Sequence, residues 1–388
     1  MSAPGRSGRL VAIDALRGVA VLLVLGSHLL FARLGTSTSA FPDWTHHVML
    51  YGQFGVHLFL VLSGFCIHMQ WARSPSENID FVAFWRRRLH RLYPPYFVAL
   101  CASVAGLFVL HSVMAHETGS IPQRFGYTSG SQFAIDLVLL LLLVQNVNGA
   151  SHRIGNGPFW TLALEEQLYL LYFPLLWLRR RFGWTATLGV VVAVCVAWRT
   201  AALIVVPEAH QDKMFAVGPA RWVEWALGAI AVEAHMGRIQ LPRWASSSRV
   251  GILLLGITVV AHELFRTNPV FQTTVDPLFG LGFFVLVNAA CRYDWGGAVD
   301  PLRIGARLAW VGGISYSLYL THEPILVALK HVGFRAGLGV AGVLVLRALG
   351  PLLVAWLFFT LVERRFLNSS RRKMLIGQAG AAASFSKS

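Results

Sequence analysis

The chain has 388 residues, of which 55% are hydrophobic and 13% charged, with a mean hydropathy of +0.58. Soluble domains carry roughly 25% charged residues, so a soluble protein of this length is excluded: too little polar surface remains to face water. The net charge of +15 comes mostly from Arg clusters lying between apolar stretches, which reads as a positive-inside topology signal and, with no soluble basic domain to hold it, excludes nucleic acid as a partner.

Apolar runs recur along the chain at 10–31, 48–71, 93–114, 131–147, 163–178, 184–206, 217–236, 249–265, 275–291, 310–330 and 337–361. Many approach the length of about 20 residues that a bilayer core demands. The fold class is therefore all-α, a polytopic transmembrane helix bundle forming one domain over 1–366. The residues 367–388 are Arg-rich and then Gly/Ala/Ser-rich, and are expected to form a disordered cytoplasmic tail. The first run carries Asp14 and Arg17 with no small-residue cleavage site after it, so it is expected to stay attached as the first span. Cys66, Cys101, Cys195 and Cys291 lie in or beside apolar runs without paired spacing. They read as small buried hydrophobes, and no metal site is expected.

Loop charge tests these spans. Arg86, Arg87, Arg88 and Arg91, Arg179–Arg181 and the later Arg clusters fall on one side, together with Arg6 and Arg9 at the N-terminus. An odd number of runs separates the loops at 86–91 and 179–181, so one run between 131 and 178 does not cross. The segment 163–178 is a candidate for a re-entrant or half-buried helix, and 131–147 is also short. About ten crossings with both termini cytoplasmic follow, plus one re-entrant or short helix.

Polar islands interrupt the runs. Arg17 and His28 are eleven residues apart, which puts them on one helix face about 16 Å apart along the axis. An ionisable residue deep in a span is a functional candidate by default, with hydrogen bonding to a neighbouring helix as the bland alternative. Within GVHLFLVLSGF, residues 55–65, Gly55, Ser63 and Gly64 suit close helix contact, and His57 is a second buried ionisable group. Arg88 and Arg91 stand one turn apart in FWRRRLHRLYPPYF; they are either a cytoplasmic anchor or a phosphate clamp suited to the bidentate guanidinium fork. Glu165 and Glu166 open FWTLALEEQLYLLYFP and point about 100° apart, so one of them faces a given site. Tyr316, His322 and Glu323 interrupt SYSLYLTHEPIL, where His322 could line a cavity.

Taken in order, IDALRGVAVLLVLGSH, GVHLFLVLSGF, RRRLHRLYPPY, WTLALEEQLY and SYSLYLTH resemble the motifs of acyltransferase family 3, membrane proteins that O-acylate sugars and related hydroxyl compounds. The resemblance covers about residues 10 to 361, nearly the whole chain. It implies site residues at Arg17, His28, Arg88, Arg91, Glu165 and the block from Ser315–Tyr316 to His322. His57 departs from the family pattern, which more often has an acidic residue there. Peptidoglycan falls down the order of acceptors, because no hydrolase-like domain follows the bundle.

The expected reaction is acyl transfer at the bacterial inner membrane, with acyl-CoA, acetyl-CoA first, as donor substrate and no tightly bound cofactor. The acceptor would be a hydroxyl of a glycan, glycolipid or glycosylated small molecule, and membrane lipid is the surrounding partner. Arg88 and Arg91 would hold the CoA phosphates. His28 would act as general base or carry the acyl group, Arg17 would stabilise the oxyanion, and Glu165 would orient His28 or pair with an Arg. His57, Ser63, Tyr316 and His322 would line the substrate cavity. The rival is a secondary transporter with an intramembrane His/Arg/Glu path, which would call for related halves that the sequence lacks.

Overall fold

A computed structural model describes residues 11–31, 51–75, 79–118, 129–148, 154, 156–265, 267–292 and 304–367, and all regular structure among them is helical. Arg6, Arg9 and all but the first residue of the expected tail lie outside these residues. The helices are α1 (Val11–Phe31), α2 (Gly55–Arg73), α3 (Phe81–Thr118), α4 (Gly130–Leu141), α5 (Trp160–Val205), α6 (Glu208–Phe215), α7 (Gly218–His235), α8 (Ser248–Leu264), α9 (Val275–Arg292), α10 (Ile304–Gly313), α11 (Ser315–Arg335) and α12 (Val340–Leu361). Turns of 3₁₀ helix at Tyr51–Phe54, Gly157–Phe159 and Glu363–Phe366 precede α2, precede α5 and follow α12. Among the described residues, 6 helical stretches are long and apolar enough to cross a membrane: Val11–Leu29, Gly55–Arg73, Phe81–Leu110, Gly157–Val205, Val275–Arg292 and Val340–Leu361. The chain is a multi-pass membrane protein.

Three elements differ from the runs read in the sequence. The Arg-rich segment at 86–91 is not a loop but the opening turns of α3, whose 38 residues reach about 57 Å at 1.5 Å per residue. The helix continues through Pro94 and Pro95, which cannot donate to the carbonyls of His90 and Arg91. The runs 163–178 and 184–206 merge into α5, whose two halves meet at Gly183 with φ 76 and ψ 177, a backbone conformation that only glycine adopts without strain. Each half is about 33–35 Å long, so 163–178 is not the short element. That place falls to α4, whose 12 residues cover only about 18 Å. The run 310–330 is broken after Gly313 into α10 and α11.

α7 is the centre of the bundle, with every residue from Ala220 to Glu233 buried, as a helix enclosed on all sides must be. It meets α2 with the backbones nearly touching. A Cβ on Gly64 would stand 1.9 Å from Trp225 O, and one on Gly228 would stand 1.9 Å from Val61 O. Such small-residue contacts are how membrane helices pack when no hydrophobic force distinguishes partner from lipid. The same device joins α1 to α10, where a Gly312 Cβ would lie 1.8 Å from Asp14 O.

Burying α7 also buries its charges, and each is paired. At the Arg-rich end, Glu233 Oε1 lies 2.9 Å from His68 Nε2, and Glu233 Oε2 accepts from Arg179 Nη2 at 2.6 Å. This ties α2, α5 and α7 together below the Gly183 break. Such a pair costs desolvation when formed and much more when one partner is removed.

Candidate active site

α1 places Arg17 and His28 at two different levels of the bundle. Arg17 sits on the level of Arg88 and Arg91 from α3, and Arg91 lies within electrostatic reach of both other guanidinium groups. None of the three makes a hydrogen bond to another described residue, and the buried Arg91 Nε has no acceptor. The Arg88 guanidinium lies over the rings of Phe84 and Tyr169 instead, at 5.6 and 5.9 Å. Glu363, from the turn after α12, faces Arg91. Its Oε2 accepts from Ser317 N at 3.1 Å and Ser317 Oγ at 2.5 Å, which caps the first turn of α11 with a carboxylate where the helix dipole favours one.

Glu165 belongs to this same level. Its Oε1 accepts from Ser63 Oγ at 2.9 Å and from Tyr169 OH at 2.5 Å, and its charge faces Arg17. Trp225 Nε1 donates to Ser63 Oγ at 3.3 Å, so the hydroxyl is held between α2, α5 and α7. Glu165 is not hydrogen-bonded to His28. Of its two expected roles, orienting His28 or pairing with an Arg, the described residues show neither as a hydrogen bond; only its charge facing Arg17 favours the second. Tyr316 OH donates to Leu92 O at 2.8 Å, fixing α11 against α3 one residue beyond Arg91.

Further along α1, the half-buried His28 meets His322 of α11. The two rings are edge-on with centroids 5.0 Å apart, and His322 Nε2 lies 3.4 Å from His28 Nδ1. His28 Nδ1 is also 2.9 Å from Val24 O. Arg347, a charged residue buried within the apolar α12, donates from Nη2 to His28 O at 3.5 Å. That carbonyl is among the last four of α1, which lack intrahelical donors. Beneath His322, Tyr319 OH lies 2.5 Å from Thr161 Oγ1 and donates to Pro158 O at 3.0 Å. These bonds lock the turn that opens α5 and hence the position of Glu165 one turn on. Asn156 adds to the lock by donating to Ser103 Oγ and Leu320 O, both at 3.0 Å.

His57 stands apart from both levels. Its Nδ1 lies 2.9 Å from Glu224 Oε1 and its Nε2 3.5 Å from Asp276 Oδ1. Arg221 and Arg199 complete the cluster, Arg221 Nη1 reaching Asp276 Oδ2 at 2.6 Å and Arg199 pairing with the same oxygen. Phe54 and Phe279 stack on the His57 ring at 5.3 and 5.2 Å. His57, expected to line the substrate cavity, touches neither His28 nor His322 among the described residues, and its ring joins α2 to α7 and α9.

The structure brings His28 and His322 together, and Arg88 and Arg91 with Arg17; Arg347, Glu363, Glu224, Asp276, Arg221 and Arg199 stand beside these groups or His57 without having been singled out in the sequence. The signal was present in each of the five that lie in or against apolar helices: an ionisable side chain there needs a partner or a purpose. Glu363 lies beyond the last apolar run and gave no such signal. Among the described residues, no group of His, Cys, Asp and Glu is arranged to hold a metal ion.

Comparison of the sequence with known proteins finds relatives. The family profile described as an acyltransferase domain, acyltransferase family 3, matches residues 10–362. The chain is similar to the acyltransferase MdmB of Streptomyces mycarofaciens, at 27% identity over 83% of this chain and 80% of that protein. It is similar to the exopolysaccharide production protein ExoZ of Rhizobium meliloti, at 26% identity over 87% of this chain and 97% of that one. It also resembles the peptidoglycan O-acetyltransferase OatA of Listeria monocytogenes, at 26% identity over 81% of this chain but only 49% of that protein. The chain thus spans about half the length of that relative. No solved structure matches.

Proposed function

The chain belongs to acyltransferase family 3, and from that premise we propose that it moves an acyl group, acetyl first, from cytosolic acyl-CoA to a hydroxyl of a carbohydrate or glycosylated acceptor. The observation that carries the donor half is the convergence of Arg17, Arg88 and Arg91 without a hydrogen-bonded protein acceptor among the described residues. Glu165 and Glu363 face Arg17 and Arg91 without a hydrogen bond to them among the described residues, so the guanidinium donors suit a polyanion. The pyrophosphate and ribose phosphate of CoA have the required charge, and guanidinium forks match their oxygens. The thioester then extends along α1 toward His28, which acts as general base on the acceptor hydroxyl. Arg17, at the phosphate level, is too far along α1 to touch the same atoms as His28. Its part is donor binding, with the Glu165 charge facing it from α5, rather than the oxyanion role that the sequence suggested.

The relatives include proteins named for exopolysaccharide and peptidoglycan work, which supports a glycan acceptor as a class. Membership of the family also favours acyl transfer over the transporter reading. The test is mass spectrometry of surface glycans and secreted small molecules from strains with and without the gene. Deletion should remove an acyl increment from one product, and an Arg88→Ala/Arg91→Ala double variant should fail to restore it and should lose acetyl-CoA binding. An unchanged product profile on deletion sinks the function, and full restoration by the double variant reduces the Arg pair to an anchor.

The Arg-rich end is placed at the cytoplasm of a bacterial inner membrane, with about ten crossings and both termini cytoplasmic. A short α4 between α3 and the first half of α5 supports this parity. Topology reporters fused after Arg181 and after Arg372 should both read cytoplasm; a periplasmic signal at either site overturns the count.

A further inference from the structure

We infer that His322 is a positioning residue for His28, acting through the His28 ring rather than on the acceptor, an inference that rests on His28 serving as the base. The argument is one of tautomers. A backbone carbonyl has no proton to give, so a ring nitrogen hydrogen-bonded to one must carry the proton. His28 Nδ1 is 2.9 Å from Val24 O, and His322 Nδ1 is 3.0 Å from both Leu318 O and Tyr319 O. Both neutral rings are therefore Nδ1–H tautomers. The lone pair of His322 then resides on Nε2, which is the atom 3.4 Å from His28 Nδ1. His28 Nδ1–H is shared between the Val24 carbonyl and His322 Nε2, and the His28 lone pair is on Nε2.

This assignment orders the two rings. His322 is 1% exposed and directs its one lone pair at His28, so it has none for a substrate. The half-buried His28 keeps Nε2 uncommitted among the described residues. As the acceptor oxygen bonds to the thioester carbonyl carbon, its proton passes to His28 Nε2. When the C–S bond breaks, the electron pair leaves with the CoA sulfur, which takes up that proton and frees the base. Between those events His28 is a cation, and a hydrogen bond from a charged donor is about twice as strong as a neutral one. His322 Nε2 thus holds the ring more tightly at the moment charge develops, the task that a carboxylate performs in the serine-protease triad. The other group that reaches this pair from a neighbouring helix is Arg347, at the His28 carbonyl. No carboxylate hydrogen-bonds to either ring among the described residues, so the neutral imidazole is the acceptor available.

The test compares His322→Gln, which can present an amide oxygen near the place of Nε2, with His322→Leu, which presents none. Each full-length variant is expressed in a strain lacking the native gene, and radiolabelled acetyl-CoA is supplied to membranes that contain the native acceptor. Transfer is normalised to folded protein. His322→Leu should lower kcat about ten- to hundredfold, the value of a hydrogen bond to a charged group, with KM for acetyl-CoA unchanged. His322→Gln should recover most of that loss. Equal losses in the two variants, a change confined to KM, wild-type transfer by His322→Leu, or loss of folded protein in both would each overturn the inference. His28→Ala run alongside separates the layers: its wild-type activity would remove the base reading itself, whereas an inactive His28→Ala beside a fully active His322→Leu removes only the role of His322.

Discussion

Replacing His28 by alanine should lower acyl transfer by about 10²–10⁴-fold, the usual contribution of a positioned general base, and leave acetyl-CoA binding intact. The separation follows from the distance along α1. Arg17, Arg88 and Arg91 gather at one level, and His28 lies about 16 Å further on. Removing the imidazole therefore subtracts nothing from the phosphate contacts. It does remove the lone pair at the half-buried Nε2; Arg347 is a cation without a lone pair, and His322, although its Nε2 is released, is only 1% exposed. The helix itself should survive, because alanine is its best-tolerated residue and the Arg347 contact is to the His28 backbone. The measurement is acyl-CoA binding and acyl transfer on the same purified variant. Transfer at wild-type rate would make His28 structural, and loss of both properties together would place it in the donor site.

The helices were legible because apolar length and Arg clustering are properties of contiguous sequence. What contiguity could not give was depth. The Arg-rich segment 86–91 reads as a loop, yet α3 carries it as helix, since nothing between Phe81 and Pro94 breaks a helix and Arg is a good helix former. Glu165 looked like a partner for His28 because a carboxylate beside an imidazole is a familiar pair. Its level in the bundle is set by the turn at Gly157–Phe159 and by the bonds of Ser63 and Tyr169, none of which periodicity reveals. His57 is a second buried ionisable group in the sequence, but its partners come from α7 and α9, more than a hundred residues away. Long-range ionic pairing is the part of a membrane fold least visible in a single sequence, and in this bundle it organises the core.

Asp276→Ala should be the most damaging substitution outside the candidate active site, costing about 3–5 kcal/mol, the usual penalty for breaking a buried ion pair. Asp276 Oδ2 receives Arg221 Nη1 at 2.6 Å and Arg199 Nη1 at 2.6 Å, and Oδ1 lies 3.5 Å from His57 Nε2. The side chains of Arg199 and Arg221 are only 1% and 7% exposed, so neither can recover its hydration when the carboxylate is gone. Glu224 is the remaining anion, 3.4 Å from Arg221 and already held by His57. One carboxylate would then face two buried guanidinium groups where α5, α7 and α9 meet. Asp276→Asn should fall between, because it keeps one acceptor oxygen and the volume but loses the charge. The exposed Asp212, in α6, serves as the control; its alanine variant should lie within about 0.5 kcal/mol of wild type. Thermal unfolding of the detergent-purified variants decides the matter, with the yield of folded protein as a second readout. An Asp276→Ala protein that melts with the Asp212→Ala control would mean the cluster is dispensable for the fold, and the reason for burying four charges and a histidine there would have to be sought in function instead.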